Sequence, residues 1–504
     1  MKKYFFILFL LGALLITSSG FISLPDKQSG EDKISTRVDS VLNLMTLEEK
    51  IGQLNQLSYG IGWGPTVKVS VPDEYKQMIK DGKIGSFLNA IGAEFTYELQ
   101  KIAVQESRLK IPLLFGLDVI HGFKTTFPVP LGEAATWEPE IVKMSAHYQA
   151  LEASSAGIHW TFSPMVDIAR DPRWGRIMEG SGEDTYLGTL MSEARVLGYQ
   201  GNLSNENIIA CVKHYAGYGA AEGGRDYNTV DFSDRTLRDV YLPPFKAAID
   251  AGVETVMASF NEIAGIPSSG SKYLLNDILR DEWKFNGFVV SDWNSIGEMI
   301  NHGFASDLKN AGEISINAGL DMDMESRSYI TYLKQLVEEG KVKESTIDES
   351  VRRILRIKFK LGLFDDPFRY CSKEREQKNI MTDEIKMASL NVAKRSFVLL
   401  KNNNKTLPLS KEYKKIAVIG PLANSKLDPL GEWNALGVED DVTSVLEGIK
   451  KYVGDKSEIL YAEGCKITDA SKDGFIEAVN SAKDADVIIL CVGESRSMTG
   501  EAYS

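Results

Sequence analysis

The sequence predicts an α/β protein, with an N-terminal (β/α)8-type parallel barrel over residues 30–365 and a second α/β unit over 391–504. Three observations carry this. Short apolar runs alternate with amphipathic helical stretches for roughly 320 residues, the pattern of a parallel sheet wrapped by helices. Polar residues follow one apolar run after another, as they do where barrel strands open onto a shared rim. Beyond Asp365-Asp-Pro-Phe368 the periodicity breaks and a new strand–helix alternation begins.

At the N-terminus, Lys2 and Lys3 precede an apolar run from Tyr4 to Ile16 and then Thr17-Ser-Ser-Gly20, the layout of a secretory signal peptide over residues 1–22. The run is short for a membrane span, so export to a periplasm or the cell exterior is expected, with no other membrane association. Thr46-Leu-Glu-Glu49 has the spacing of a helix capping box. Strands are expected at Gly85–Leu88, Pro112–Phe115, Trp160–Ser163, Ile209–Val212, Thr255–Ala258 and Phe288–Val290. Between them, Ile141, Met144, Tyr148 and Leu151 share one helical face. The last barrel helix runs from Ser345 to Gly362. Residues 366–390 read as a linker. In the second unit, Ile416–Ile419, Ile459–Tyr461 and Val487–Leu490 read as strands. These are too few for a complete open sheet, so truncation on the C-terminal side is expected.

Composition narrows the function. Of 504 residues, 43% are hydrophobic and 25% charged, ordinary values for a soluble globular protein. A formal net charge of −13 argues against nucleic acid as a partner. Neither a G-x-G-x-x-G run nor a P-loop appears, and nothing calls for a cofactor. Four scattered cysteines and five histidines without His-x-His or His-Glu-x-x-His spacing give no metal site. Oligomeric state is not written in the sequence.

The chemistry gathers after the strands. Asp118 follows Phe115, and Asp167, Arg173 and Arg176 follow the Trp160 run. Lys213 and His214 follow Val212, Met257 and Asn261 bracket Ala258-Ser-Phe260, and Asp292 and Trp293 follow Val290. Asp321 and Asp323 follow Leu320. Singly, each has an ordinary explanation: a turn acid for Asp118, a surface pair for Lys213-His214, a core residue for Met257. A barrel would bring them to one pocket. Carboxylates, cations and an indole without metal spacing suit a polyhydroxylated ligand, whose hydroxyls they bond and whose C–H face the indole covers. Glycoside hydrolysis needs two carboxyl groups, one ionised and one able to give a proton. Cationic neighbours are expected to keep Asp292 ionised.

The runs Arg170-Asp-Pro-Arg-Trp-Gly-Arg176, Lys213-His-Tyr-Ala-Gly-Tyr218, Val256-Met-Ala-Ser-Phe-Asn261 and Val290-Ser-Asp-Trp293 resemble, in that order, glycoside hydrolase family 3. The resemblance covers residues 40 to 504. It implies a barrel followed by an α/β sandwich with the active site between them, and retention through a glycosyl-enzyme intermediate on Asp292. Asp118, Arg176, Lys213, His214 and Met257 would line the subsite for the terminal sugar, and Trp293 would face the leaving sugar. The Ser-Asp-Trp form looks most like β-glucosidases acting on terminal β-glucosyl residues, with β-xylosidases of the same family the alternative. One branch of the family uses a second His in the Lys-His loop as acid/base; the loop Lys213–Asp226 has none and departs from it.

Two acids compete for proton donor. Glu501, in Met498-Thr-Gly-Glu-Ala-Tyr503, resembles the second-domain loop that carries the family's donor, and is preferred. Glu298 lies in the same rim loop as Asp292 and needs no second domain. A loop so near residue 504 is expected to fray and to weaken activity on poor leaving groups. An exported sugar-binding protein without turnover is the rival reading, and a metal-dependent barrel hydrolase ranks far behind.

Overall fold

The computed structural model of the protein describes residues 27–59, 71–410 and 412–503. The leader reading over 1–22 therefore lies outside the described residues. Within them, the barrel strands are β1 (Asn55–Ser58), β2 (Ser86–Leu88), β3 (Leu114–Leu117), β4 (Trp160–Thr161), β5 (Cys211–Tyr215), β6 (Thr255–Ala258), β7 (Phe288–Val290) and β8 (Asp323–Met324). One five-stranded parallel sheet runs β8-β1-β2-β3-β4 and a three-stranded one runs β5-β6-β7. Parallel bridges from Trp160 to Ile209, Met165 to Lys213 and Val290 to Met322 join the two sheets at both edges. The result is a closed eight-stranded parallel barrel, as expected. Asp292 follows its seventh strand, not the sixth run of the sequence reading.

β1 and β8 are the strands absent from that reading. Asn55-Gln-Leu-Ser58 is wholly buried yet mostly polar, so no apolar run announces it. The amide N–H groups of its side chains find partners: Asn55 Nδ2 donates to Ile51 O at 2.6 Å, and Gln56 Nε2 donates to Ser86 Oγ at 2.8 Å. β8 is the dipeptide Asp323-Met324, too short to leave a periodic signal. Elsewhere the agreement is close, with β6 and β7 at the expected residues.

Helices cover the outside. The Thr46/Glu49 capping box forms and starts helix Leu47–Gln53. Helix Pro139–Ser155 buries Val142, Ala146, Ala150 and Ala153. Its other apolar stripe, Ile141, Met144, Tyr148 and Leu151, packs against Ile385, Ala388 and Val392 of helix Asp383–Ser396. The stretch expected as an irregular linker is thus largely helical, with Lys373–Asn379 and Asp383–Ser396 laid on the barrel wall. Tyr148 donates to Glu384 at 2.8 Å, and Asn379 donates to Ser155 at 3.0 Å.

The second unit has β9 (Lys415–Ile419) between β10 (Glu458–Ala462) and β11 (Val487–Leu490), all parallel. Alternate side chains of β9 serve opposite faces, as strand geometry requires. Ile416 and Val418 pack with Leu446 and Ile449 of helix Val445–Val453, whereas Ala417 and Ile419 meet Ala478 and Ala482 of helix Phe475–Lys483. This helix–sheet–helix layering is the expected α/β sandwich.

Candidate active site

A cavity of about 540 Å³ lies between the barrel rim and the second unit. Leu88, Asn89, Leu117, Asp118, Phe162, Lys213, Met257, Asp292 and Met324 line it from the strand ends, and Glu432, Trp433, Arg496 and Glu501 from the second unit. A volume of this size is typical of small-ligand sites, which span about 300–1,000 Å³.

Asp118, Arg176, Lys213, Met257, Asp292, Trp293 and Glu501 all line this one cavity. Lys213 Nζ donates to Asp118 Oδ1 at 2.8 Å. Burial works against its charge, but Asp118 beside it holds the Lys213 ammonium above its ordinary range. Arg176 is also buried; its Nε and Nη2 grip Glu179 at 2.8 and 3.0 Å, while Nη1 stands 3.4 Å from Glu501 Oε1. Trp433 donates its indole N–H to the same Glu179 at 2.9 Å, which fixes the ring over the cavity. Asp292 accepts the Trp293 backbone N–H at 2.7 Å through Oδ1. His214 stands behind the lining, with Nε2 at 3.5 Å from Asp292 Oδ2.

Electrostatics correct one expectation. Burial pushes Asp292 up to about 8, Glu501 adds to the rise, and Arg176 and Lys213 only partly oppose it. The two cations do not keep the acid fully ionised at neutral pH, because desolvation outweighs them. His214 moves the other way: burial, then Arg176 and Lys213, depress it well below its ordinary value, so the ring is neutral.

The two donor candidates part company. Glu501 reaches into the cavity and accepts a hydrogen bond from Tyr227 Oη. Its loop is pinned to the barrel: Gly500 N–H donates to Gly175 O at 2.7 Å, Gly175 N–H to Tyr503 O at 3.0 Å, and Ala502 N–H to Asp226 at 2.8 Å. The loop expected to fray is docked by these three bonds in this arrangement. Gly175 is a glycine for a steric reason, since a Cβ there would lie 2.3 Å from Gly500 O. Glu298, on helix Ser295–Asn301, is absent from the cavity lining; burial and the Glu501 charge raise it to about 7.

Other rim residues turn out to be structural. Asp321 precedes β8 at the opposite end of the barrel, where Arg280 and Arg353 bond it at 2.6 and 2.7 Å. Asp323 accepts from Ser326 and the Tyr329 backbone. Arg173 pairs with Asp171 on the surface. Conversely, Glu179, Tyr227, Glu432 and Trp433 were not singled out in the sequence. Glu179 is signalled only by its i+3 spacing from Arg176. The Glu432–Ala435 loop carries no periodicity and is placed by tertiary contacts, His121 to Glu432 O and, just after it, the Leu436 N–H to Phe123 O at 2.8 Å.

A parallel barrel capped by an α/β sandwich, with carboxylates from both facing one cavity, defines a two-domain barrel class. The family follows from comparison. Residues 46–357 match the glycosyl hydrolase family 3 N terminal domain and residues 397–504 its C-terminal domain. The chain belongs to glycosyl hydrolase family 3. It is 41% identical to a periplasmic beta-glucosidase of Salmonella typhimurium, with 93% of this chain and 63% of that protein covered. It is 34% identical to a beta-xylosidase of Formosa agariphila, over 99% of this chain and 66% of that protein. The crystal structure of a beta-glucosidase from Listeria innocua superposes with a TM-score of 0.86 at 41% identity, covering 93% of this chain and 65% of that one. The chain thus spans just under two thirds of the length of these relatives.

Proposed function

We propose that the protein is a retaining, exo-acting β-glycosidase, a β-glucosidase releasing terminal non-reducing β-D-glucosyl residues. The observation that carries this is the pairing of Asp292 from the barrel with Glu501 from the second unit across one cavity, with Arg176 beside Glu501 at 3.4 Å. In this reading an Asp292 oxygen attacks the anomeric carbon as the glycosidic C–O bond breaks. Glu501 gives its proton to the departing oxygen. Water, deprotonated by Glu501, then attacks the same carbon and frees Asp292, so two inversions give retention. Asp118, Lys213 and Arg176 supply donors and acceptors for sugar hydroxyls, Met257 an apolar floor, and Trp293 a face for the leaving sugar, while His214, expected among the sugar contacts, stands behind the lining against Asp292.

The beta-glucosidase relatives, some solved with glucose or laminaribiose, support a glucoside substrate. The beta-xylosidase of Formosa agariphila favours β-xylosides as the second reading. Export to the periplasm or exterior is supported by the basic-then-apolar N-terminus and by the periplasmic relative.

A panel of nitrophenyl glycosides with a 2-fluoro-glucoside tests the whole reading. Expected are β-glucoside turnover, a trapped sugar on Asp292, and loss of turnover by orders of magnitude in Asp292→Asn. Sugar bound without product or covalent label would leave a binding protein instead, and product of inverted configuration would remove the intermediate.

A further inference from the structure

Behind the cavity wall runs a buried row of three side chains that the displacement above does not use in full. Asp167 Oδ2 accepts the His214 backbone N–H at 2.9 Å and stands 2.9 Å from its ring Nδ1. The far ring nitrogen, Nε2, faces Asp292 Oδ2 at 3.5 Å. Among the described residues neither facing atom has a hydrogen-bond partner, and Asp167 Oδ1 has none. Asp167 and His214 are sealed from solvent at 2% and 0% exposure.

Proton counting makes the row informative. A neutral imidazole carries one N–H, and here two carboxyl groups stand against its two nitrogens. With the proton on Nδ1, Asp167 is served, and the Nε2 lone pair points at Asp292. That arrangement is comfortable only when Asp292 is itself protonated and donates. With the proton on Nε2, Asp292 can be an anion, and Asp167 must hold a proton to face the bare Nδ1.

We propose that Asp167 is a positioning residue that receives, through His214, the proton Asp292 must lose to become a nucleophile. The Asp292 O–H bond breaks as Nε2–H forms, and Nδ1–H breaks as an Asp167 O–H forms. One negative charge passes from Asp167 to Asp292, and no proton enters or leaves the cavity. The proposal rests on the reading of Asp292 as nucleophile.

The surroundings suit such an exchange. Arg176 and Lys213 act on all three groups, Glu179 faces Asp167, and Glu501 faces Asp292. The Tyr218 ring closes the edge of the imidazole at 5.1 Å and stays un-ionised, since burial lifts its phenol well above the ordinary value. Burial raises both carboxyls, Asp167 to about 7 and Asp292 to about 8, so neither holds the proton by a wide margin. A positive charge at the anomeric carbon would then tip the anion toward Asp292.

The test is the tautomer of His214, read by 15N NMR of histidine-labelled protein, with the resonance assigned by loss in His214→Gln. The free protein at pH 7 should show both tautomers in exchange. Saturation with isofagomine, an imino sugar that places a cation near the anomeric position, should drive the ring to Nε2–H. In Asp167→Asn the amide carbonyl can accept Nδ1–H but cannot take up a proton, so the ring should stay Nδ1–H with or without isofagomine. The same variant should lose up to about 10⁴-fold in kcat, the scale reached when an Asp→Asn change imposes the wrong histidine tautomer in a serine protease. Its acidic limb should move to higher pH, with KM little changed and partial rescue by Asp167→Glu. A purely structural Asp167 would lower the unfolding temperature without moving the limb.

A wild-type ring fixed as Nδ1–H in both states overturns the proposal, as does an unshifted limb in Asp167→Asn. If Asp167→Asn does not fold, the wild-type tautomers alone decide. If isofagomine does not bind, the glycosidase reading is what suffers, and the free protein's tautomers still decide the proton's path.

Discussion

At the scale of single residues, the proposed nucleophile Asp292 is expected to set the pH dependence. In that role it must be ionised to attack, and a carboxyl raised to about 8 is protonated below that value. The profile of kcat/KM, which reports the free enzyme, should therefore rise with pH through the region of 8. Glu501 raises Asp292, so Glu501→Gln should move this acidic limb to lower pH. The comparison uses an aryl glycoside whose leaving group needs no proton. Lys213 lowers Asp292, so Lys213→Met should move the limb up. Limbs that stay fixed in both variants would show that these charges do not act on Asp292. Tyr227 offers a finer probe, because its hydroxyl donates to Glu501 and Phe removes that donor alone. A hydrogen bond to a charged group contributes about 1.5–3 kcal/mol. Tyr227→Phe should slow hydrolysis of disaccharides about tenfold to a hundredfold and leave activated aryl glycosides nearly unchanged; equal slowing of both would place Tyr227 outside proton donation.

At the scale of elements, the loop carrying Glu501 is docked on the Trp174–Arg176 turn, and the proposed proton donation depends on that docking. Gly175→Ala would put a methyl 2.3 Å from Gly500 O and 2.6 Å from Tyr503 O, and both belong to that loop. The prediction is a barrel that still folds, a loop cut early in limited proteolysis, and disaccharide hydrolysis down by about one to two decades. An unchanged cleavage pattern would refute the docking. Elements also decided what could be read in advance. Runs such as Phe288-Val-Val290 are legible because a strand buried on both faces must be apolar. β1 escapes because it is polar, and the Ile51 O and Ser86 acceptors of its amide N–H groups are disclosed by no strand-like pattern. Asp118, Lys213 and Asp292 were legible because strand ends concentrate chemistry on a rim, and Arg176 because it closes the run Arg170-Asp-Pro-Arg-Trp-Gly-Arg176. Glu179 and Trp433 were not, since one lies in a short turn and the other in a loop whose position depends on a different domain.

At the scale of the whole molecule, the barrel separates reactivity from stability by its two ends. The rim holds the cavity, while the opposite end holds buried groups such as Lys358, whose ammonium donates to Gln53 at 2.6 Å and to Gly85 O at 3.0 Å where β1 and β2 begin. Burial lowers Lys358 from 10.5 to about 7. For a base with a depressed folded value, the folded protein holds fewer protons than the unfolded chain between those two limits. Stability from this group therefore rises with pH from about 7 to 10.5 and is flat below 7. Each unit is worth about 1.36 kcal/mol, so the full span is of the order of several kcal/mol. Lys358→Met has no proton to release and should lose this slope, although its midpoint at pH 7 also reflects two stranded acceptors. The deciding quantity is the rise in thermal unfolding midpoint between pH 7 and 9.5, larger in the wild type than in the variant. Glycosidase activity at the rim should keep its pH profile in Lys358→Met. Equal rises in the two proteins would mean that Lys358 keeps its charge inside the fold.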